Sequence, residues 1–97
     1  MNIFMFKNDF AVGATSGWHS HPGGAIVVVT AGAITFHRAA GNNCETTVYK
    51  VGDAYTERTG EVVMAQNPGT STASVVVTYP SVSGNAFRTD EPAPSCA

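Results

Sequence analysis

The chain consists of short runs of β-branched and aromatic residues, broken about every 8 to 12 residues by Gly, Asn and Pro. Groups such as Ala31-Gly32 and Asn67-Pro68-Gly69 supply residues that tolerate the backbone angles of tight turns. No stretch carries the pattern of a helix of about ten residues, and the close reversals favour antiparallel pairing. The pattern predicts an all-β fold with strands near residues 3–10, 18–21, 25–30, 33–37, 46–51, 55–57, 61–66, 73–79 and 86–89.

Two of these strands are apolar on both faces, at Ile26–Val29 and at Val75–Val77. A sheet with one face in water alternates apolar and polar residues, so both faces of these strands are expected to be covered. One cover is the interior of the domain, and a second protomer is the expected other. The sequence therefore predicts a homodimer, to which the hydrophobic edge segment Ile3–Phe6 contributes.

Composition supports the same fold class and excludes several partners. The 97 residues make one domain, and they include 12 Val, 11 Thr and 3 Ile but no Leu, the usual apolar residue of helices. The net charge of −2 leaves no basic surface, so neither nucleic acid nor an anionic membrane is an expected partner. The longest apolar run, Ala25–Val29, is far below the ~20 residues that cross a bilayer. If the protein is exported, its signal peptide is expected to be absent from this numbering.

Composition changes near the C-terminus. From Asp90 onward the sequence is rich in proline, which cannot take part in a strand ladder. We therefore expect a β domain over 1–89 and a surface tail over 90–97.

A first spaced motif covers the segment that contains two of the three histidines. It reads Gly13, five residues, His19-x-His21, three residues, Ala25, six residues, Gly32. This is the spacing G-x5-H-x-H-x3-E-x6-G, with Ala25 at the place of the Glu.

A second spaced motif begins nineteen residues further on. It reads Gly52, five residues, Arg58-x-Gly60, two residues, Val63, three residues, Asn67. This is the spacing G-x5-P-x-G-x2-H-x3-N, with Arg58 and Val63 at the places of the Pro and the His.

The two motifs together resemble those of the cupin superfamily, and the resemblance spans Gly13–Asn67. It implies a cupin-type jelly-roll β-barrel in a single domain, with a metal ion held by two His and a Glu from the first motif and a His from the second. His19 and His21 match ligand positions of the superfamily. Ala25 and Val63 stand at the other two and offer no donor atom.

The spacing of His19 and His21 suits a metal ion by itself. Residues i and i+2 of a strand project from the same face, so both rings can approach one ion at about 2.0–2.1 Å. The expected cofactor is a divalent transition metal ion (Zn, Cu, Ni, Mn or Fe). Glu61 is the expected third ligand because it lies on the strand face of Val63, although a solvated Glu61 remains the alternative. Glu57 is expected on an exposed charged rim.

The resemblance also places a pocket around the metal, lined by Ala25, Phe36, Tyr55 and Val63. Its expected occupant is a small molecule, and the small side chains at positions 25 and 63 are expected to enlarge the pocket. Two functions follow. One is an enzyme in which the ion acts as a Lewis acid or activates dioxygen, with catalytic residues unknown. The other is a non-catalytic, metal-free receptor for a small ligand.

The chain is similar to small exported bacterial cupins that carry one Cys in the hairpin after the first motif and one in the tail. The corresponding residues are Cys44 and Cys96, and a disulfide between them would anchor the tail; two unrelated thiols are the alternative. A bridged pair implies export to the periplasm or the outside of the cell, and free thiols imply the cytoplasm.

Overall fold

The structure is a computed structural model that describes residues 2–81 and 87–97. Its described residues form nine strands and no helix. The strands are β1 (Asn2–Phe10), β2 (His19–Ser20), β3 (Ala25–Ala31), β4 (Ala33–Ala40), β5 (Asn43–Lys50), β6 (Ala54–Glu57), β7 (Val63–Gln66), β8 (Ala73–Ser81) and β9 (Thr89–Asp90). Of the strand predicted over 86–89, Ala86 lies outside the described residues. No helix of the described chain has the length and apolar character needed to cross a membrane.

The strands are arranged in two antiparallel sheets, in the orders β1-β8-β3-β6 and β5-β4-β7-β2-β9. This confirms the predicted all-β jelly roll. Within the described residues, no hydrogen-bonded ladder joins one sheet to the other, so the domain is a sandwich of two sheets and does not close into a barrel.

The hairpin of β4 and β5 is longer than the sequence pattern predicts. The two strands pair without a break to Ala40 and Asn43, so that only Gly41 and Asn42 remain in the turn. Gly41 has φ +62°, which suits the first position of a two-residue hairpin turn. The tight turn therefore extends the ladder through residues that carry little hydrophobic signal.

The hydrophobic core lies between the sheets. Strand β3 alternates in burial, with Val27 and Val29 inside and Ile26 and Val28 outside. The inner residues of β3 and β8 pack against Ile34 of β4 and its neighbours in the second sheet. The buried apolar residues are Ala25, Val27, Val29, Ile34, Phe36, Tyr55, Val63, Ala65, Ala73, Val75 and Val77.

The outer face of the four-stranded sheet carries exposed apolar side chains. Ile3, Met5, Ile26 and Val28 are exposed there, and Thr78 lies between Met5 and Ile26 in the ladder. Directly opposite residues of a ladder share a face, so these side chains form one continuous surface, which we call the outer apolar face. The face fits the predicted homodimer, which stays a prediction.

The tail is tied to the domain at two points. The predicted boundary between residues 89 and 90 falls within β9, which pairs with β2. The expected disulfide between Cys44 and Cys96 is present, with Cα atoms 5.4 Å apart and a sequence separation of 52 residues. The tail therefore lies fixed against the five-stranded sheet.

Replacing both cysteines in Cys44→Ser/Cys96→Ser is expected to lower the free energy of unfolding by about 4 kcal/mol, because the open chain regains the entropy of a long loop. Urea unfolding of the variant and of the wild type measures the difference. Wild type kept under a reducing agent should unfold like the variant. Two free thiols in denatured, unreduced wild type would contradict the bond.

Candidate metal centre

Strand β2 and the residue that follows it direct the two motif histidines into the space between the sheets. Strand β2 pairs with β7 so that His19 lies opposite Val63. His19 and His21 point inward with ring centroids 4.8 Å apart, whereas the Ser20 hydroxyl donates a hydrogen bond to Glu91 in the tail. The alternation of a strand thus separates two site residues from a structural contact to the tail.

Strand β6 brings a carboxylate to the same place. Its side chains alternate, so that Tyr55 and Glu57 are buried while Ala54 and Thr56 are exposed. The β3–β6 ladder sets Glu57 directly opposite Ala25, and residues opposite each other in an antiparallel ladder project from the same face. Glu57 therefore enters the interior beside the position where the first motif has its Glu. The expectation of an exposed Glu57 was wrong, since the residue is 5% exposed.

Gly24 allows the turn between β2 and β3 to approach the end of β6. It has φ +75°, and a Cβ atom there would lie 2.9 Å from the Glu57 carbonyl oxygen. A larger residue would push the turn away from β6. The distance between the histidines and Glu57 therefore depends on this glycine.

The three side chains form a compact buried cluster. His21 Nε2 lies 2.7 Å from Glu57 Oε2, and His19 Nε2 lies 4.0 Å from the same oxygen. One ligand atom from each residue lies within 4.8 Å of the other two. Each residue is 5% exposed or less, so the cluster is shielded from bulk water.

The other ring nitrogens fix the protonation of the histidines. His19 Nδ1 lies 2.9 Å from the Gly17 carbonyl oxygen, and His21 Nδ1 lies 2.6 Å from the Phe87 carbonyl oxygen. A carbonyl oxygen only accepts, so each Nδ1 carries the hydrogen and donates it. In the neutral rings the lone pair is then on Nε2, the atom nearest Glu57, as in metal-binding histidines held by a backbone carbonyl.

The electrostatic surroundings shift the pKa values of the two histidines in opposite directions. Burial lowers the pKa of His19 below 6.5, and the nearby charges do not restore it. Burial also opposes protonation of His21, but its hydrogen bonds to Glu57 and to the Phe87 carbonyl outweigh burial and raise its pKa. In the metal-free protein His21, beside Glu57, therefore holds a proton more readily than His19 does.

Glu61 does not join the histidines. Arg38 Nη1 donates to Glu61 Oε1 at 2.7 Å, and the backbone N–H of Arg58 donates to the same oxygen at 3.2 Å. The partner strand β4 supplies Arg38, which pairs with Val63 in the β4–β7 ladder. The structure thus gives Glu61 an ion pair and places Glu57, instead of Glu61, beside the histidines.

A cavity of about 70 Å³ adjoins the cluster. Of the four residues predicted to line a pocket, Tyr55 borders this cavity, whereas Ala25, Phe36 and Val63 pack into the hydrophobic core. The small side chains at 25 and 63 are covered by core neighbours and do not widen it. The cavity is lined by Asn8, Phe10, Ser16, His19, His21, Val27, Tyr55, Glu57, Ala65, Val75, Val77, Tyr79 and Arg88.

The sequence did contain a signal for Glu57. Strand alternation places residues 55 and 57 on one face, so an inward Tyr55 requires an inward Glu57. The charge of the neighbouring Arg58 favoured the expectation that Glu57 lies on an exposed rim. The period of the strand was the better guide because it follows from backbone geometry.

Several solved structures share this fold. A recombinant oxalate oxidase in complex with glycolate is 26% identical with a TM-score of 0.80 over 91% of this chain, which spans 45% of the length of that enzyme. An uncharacterized conserved protein with a double-stranded β-helix domain from Klebsiella pneumoniae is 27% identical, with a TM-score of 0.69 over 90% of this chain and 68% of that chain.

A predicted oxalate decarboxylase from Thermotoga maritima is 21% identical, with a TM-score of 0.67 over 76% of this chain and 62% of that chain, and shows likeness of fold alone. A comparison with curated proteins gave no match. The model of the family described as cupin domain matches residues 7–79. With its two-sheet jelly roll and inward histidine pair, the chain belongs to the cupin domain family.

Proposed function

We propose that this cupin holds one divalent transition metal ion through His19, His21 and Glu57 and binds a small molecule in the adjoining cavity. The observation that carries the proposal is the convergence of two Nε2 atoms and one carboxylate in a buried cluster. With His21 neutral, no described group donates a hydrogen bond to Glu57 Oε2. A buried carboxylate oxygen in that position needs a cation.

The donor set fits such an ion. Two imidazole nitrogens and one carboxylate are a common ligand set for zinc and for iron, and sites with three protein ligands leave a position free for a small molecule. Val63, which lies opposite His19, provides no further donor. When bound, the ion would supply Lewis-acid or redox chemistry to a molecule in the cavity.

The residues around the cluster are suited to hold a small molecule. The apolar side chains of Val27, Val75 and Val77 keep water from most of the cavity wall. Burial raises the pKa of Tyr55, so its hydroxyl stays protonated and available as a donor. The similar oxalate oxidase is, by its name, an enzyme that acts on a small molecule, which supports a catalytic role for this chain.

A metal-free receptor is the second candidate, and one contact favours it. The His21–Glu57 pair, at 2.7 Å, satisfies the carboxylate with a proton on His21 in place of a metal ion. In that state the cavity would still accept a small ligand, with the histidines serving as hydrogen-bonding groups.

We also propose that the protein acts outside the cytoplasm as a homodimer. The Cys44–Cys96 bond is of a kind that persists in the periplasm or the outside of the cell. The outer apolar face (Ile3, Met5, Ile26 and Val28) is continuous across three strands, and a second copy would remove it from water.

Calorimetric titration with Zn²⁺, Cu²⁺, Ni²⁺ and Mn²⁺ is expected to show one bound ion per chain for at least one of these metals. His19→Ala and His21→Ala each remove a ligand, so they should weaken binding by more than the roughly 10–100-fold typical of changes outside the ligand set. Glu57→Gln should weaken it by about tenfold or more.

Glu61→Gln is the matched control, because it changes a nearby carboxylate, two residues before Val63, that is bound by Arg38. It should leave metal affinity unchanged. If wild type binds none of the four metals, the metal-free receptor replaces the proposal. If Glu61→Gln weakens binding as much as Glu57→Gln, the assignment of the ligand is wrong.

The two histidines of the metal-free protein should titrate on opposite sides of pH 6.5, His21 above it and His19 below it, as their surroundings require. NMR shifts of the ring protons measure both pKa values. Glu57→Gln should lower the pKa of His21, because the negative hydrogen-bond partner is lost. Equal pKa values for the two rings would show that Glu57 does not hold the proton on His21.

Sedimentation at micromolar concentration should give a dimer, with an interface of about 1,200 Å² or more. Ile26→Lys places a charge on the outer apolar face and should yield a monomer. Val48→Lys, an equally exposed valine position on β5 of the other sheet, should leave the dimer intact. A wild-type monomer, or a dimer that survives Ile26→Lys, would exclude this face as the interface.

A further inference from the structure

Arg88 stands at the rim of the cavity and has no part in the metal centre described above. Its Nη2 donates a hydrogen bond to the Ser16 carbonyl oxygen at 2.6 Å, and its Nε donates to Asp90 Oδ1 at 2.9 Å. Among the described residues, these two contacts are the hydrogen bonds that hold the guanidinium group, and they use two of its five N–H groups. A fixed guanidinium group with unused donors loses little side-chain entropy when it binds an anion.

The charge balance of the cavity favours an anion. Among the described residues that line it, Arg88 carries the only permanent positive charge and Glu57 the only carboxylate. The carboxylate of Asp90, which accepts from Arg88 Nε, is 87% exposed and does not line the cavity. With a divalent ion at Glu57, the lining of the cavity has an excess of positive charge. An anionic ligand would balance this charge, whereas a neutral ligand would not.

Size and shape narrow the class of anion. A cavity of about 70 Å³ is far below the 300–1,000 Å³ or so of pockets for drug-sized ligands. It has room for a few non-hydrogen atoms. Val75 and Val77 form an apolar wall, whereas Asn8 and Tyr79 add polar groups near the same space. A short carbon skeleton with a planar anionic group matches these surroundings.

We propose that the ligand of this cavity is a small carboxylate of two or three carbons, and that Arg88 binds its carboxylate group. The planar fork of a guanidinium group matches the two oxygens of a carboxylate. This assignment rests on the proposed function, because the metal ion supplies the second positive partner. Arg88 is thereby a specificity-determining residue that selects charged over uncharged ligands of the same size.

The test compares glycolate with glycolamide, an uncharged molecule of nearly the same shape. Each is titrated calorimetrically into zinc-loaded wild type and into zinc-loaded Arg88→Gln. Glycolate should bind wild type at least tenfold more tightly than glycolamide does, and Arg88→Gln should remove most of that preference. A lost charged hydrogen bond accounts for about a tenfold change or more.

Two controls keep the result specific. Arg58→Gln removes an arginine that is 80% exposed and does not line the cavity, so it should bind glycolate like wild type. Glutarate, which has five carbons, should bind far more weakly than glycolate because it exceeds the cavity. Equal affinity for glycolate and glycolamide, or an unchanged glycolate affinity in Arg88→Gln, would overturn the proposal.

Zinc titration of the same Arg88→Gln protein separates this proposal from that of the metal centre. Arg88 binds no metal, so zinc affinity should not fall in the variant. If wild type binds none of the four metals, the metal centre fails, and glycolate is titrated into the metal-free protein. Binding that depends on Arg88 would then still support the anion site, and absence of binding would overturn it. Circular dichroism of Arg88→Gln verifies that the variant is folded.

Discussion

The buried carboxylate of Glu57 imposes the main physical constraint on this domain. An unpaired charge in a protein interior costs several kcal/mol, so the fold must supply a cation within contact distance. Two inward histidines do so, either by holding a proton on His21 or by sharing a metal ion with Glu57. Their Nδ1 atoms are held by backbone carbonyls of Gly17 and Phe87, which commits the remaining nitrogens to the carboxylate.

A strand ladder allows this carboxylate to change its place in the sequence with little change in space. Ala25 and Glu57 are direct partners on β3 and β6, and the Cβ atoms of such partners lie about 4.5–5.5 Å apart on the same face. A donor lost at one of them can therefore be supplied by the other. His19 and Val63 are partners in the same sense, but there the second position is apolar and adds no donor. The site thus keeps three of four donors.

Polar and apolar residues line different sides of the cavity. The donors lie at one side, the valines of β3 and β8 form an apolar wall, and Arg88 lies at the rim with its guanidinium group fixed by Ser16 and Asp90. Electrostatic attraction is strong in such a space because few waters can screen it. A small volume, an apolar wall and the positive charge of Arg88 are the features on which the proposed selection of ligands by charge and size rests.

The sequence by itself predicted most of the strands and the inward histidine pair, because alternation, turn residues and motif spacing are local properties. Its resemblance to the cupin superfamily implied the jelly roll and the pairing of Cys44 with Cys96. Only the tertiary structure decided which carboxylate reaches the histidines. Glu61 and Glu57 both lie near the second motif, but the β4–β7 ladder gives Glu61 to Arg38, whereas the β3–β6 ladder carries Glu57 inward. Local spacing determines the face on which a side chain lies, whereas its neighbours depend on strand pairing between distant segments.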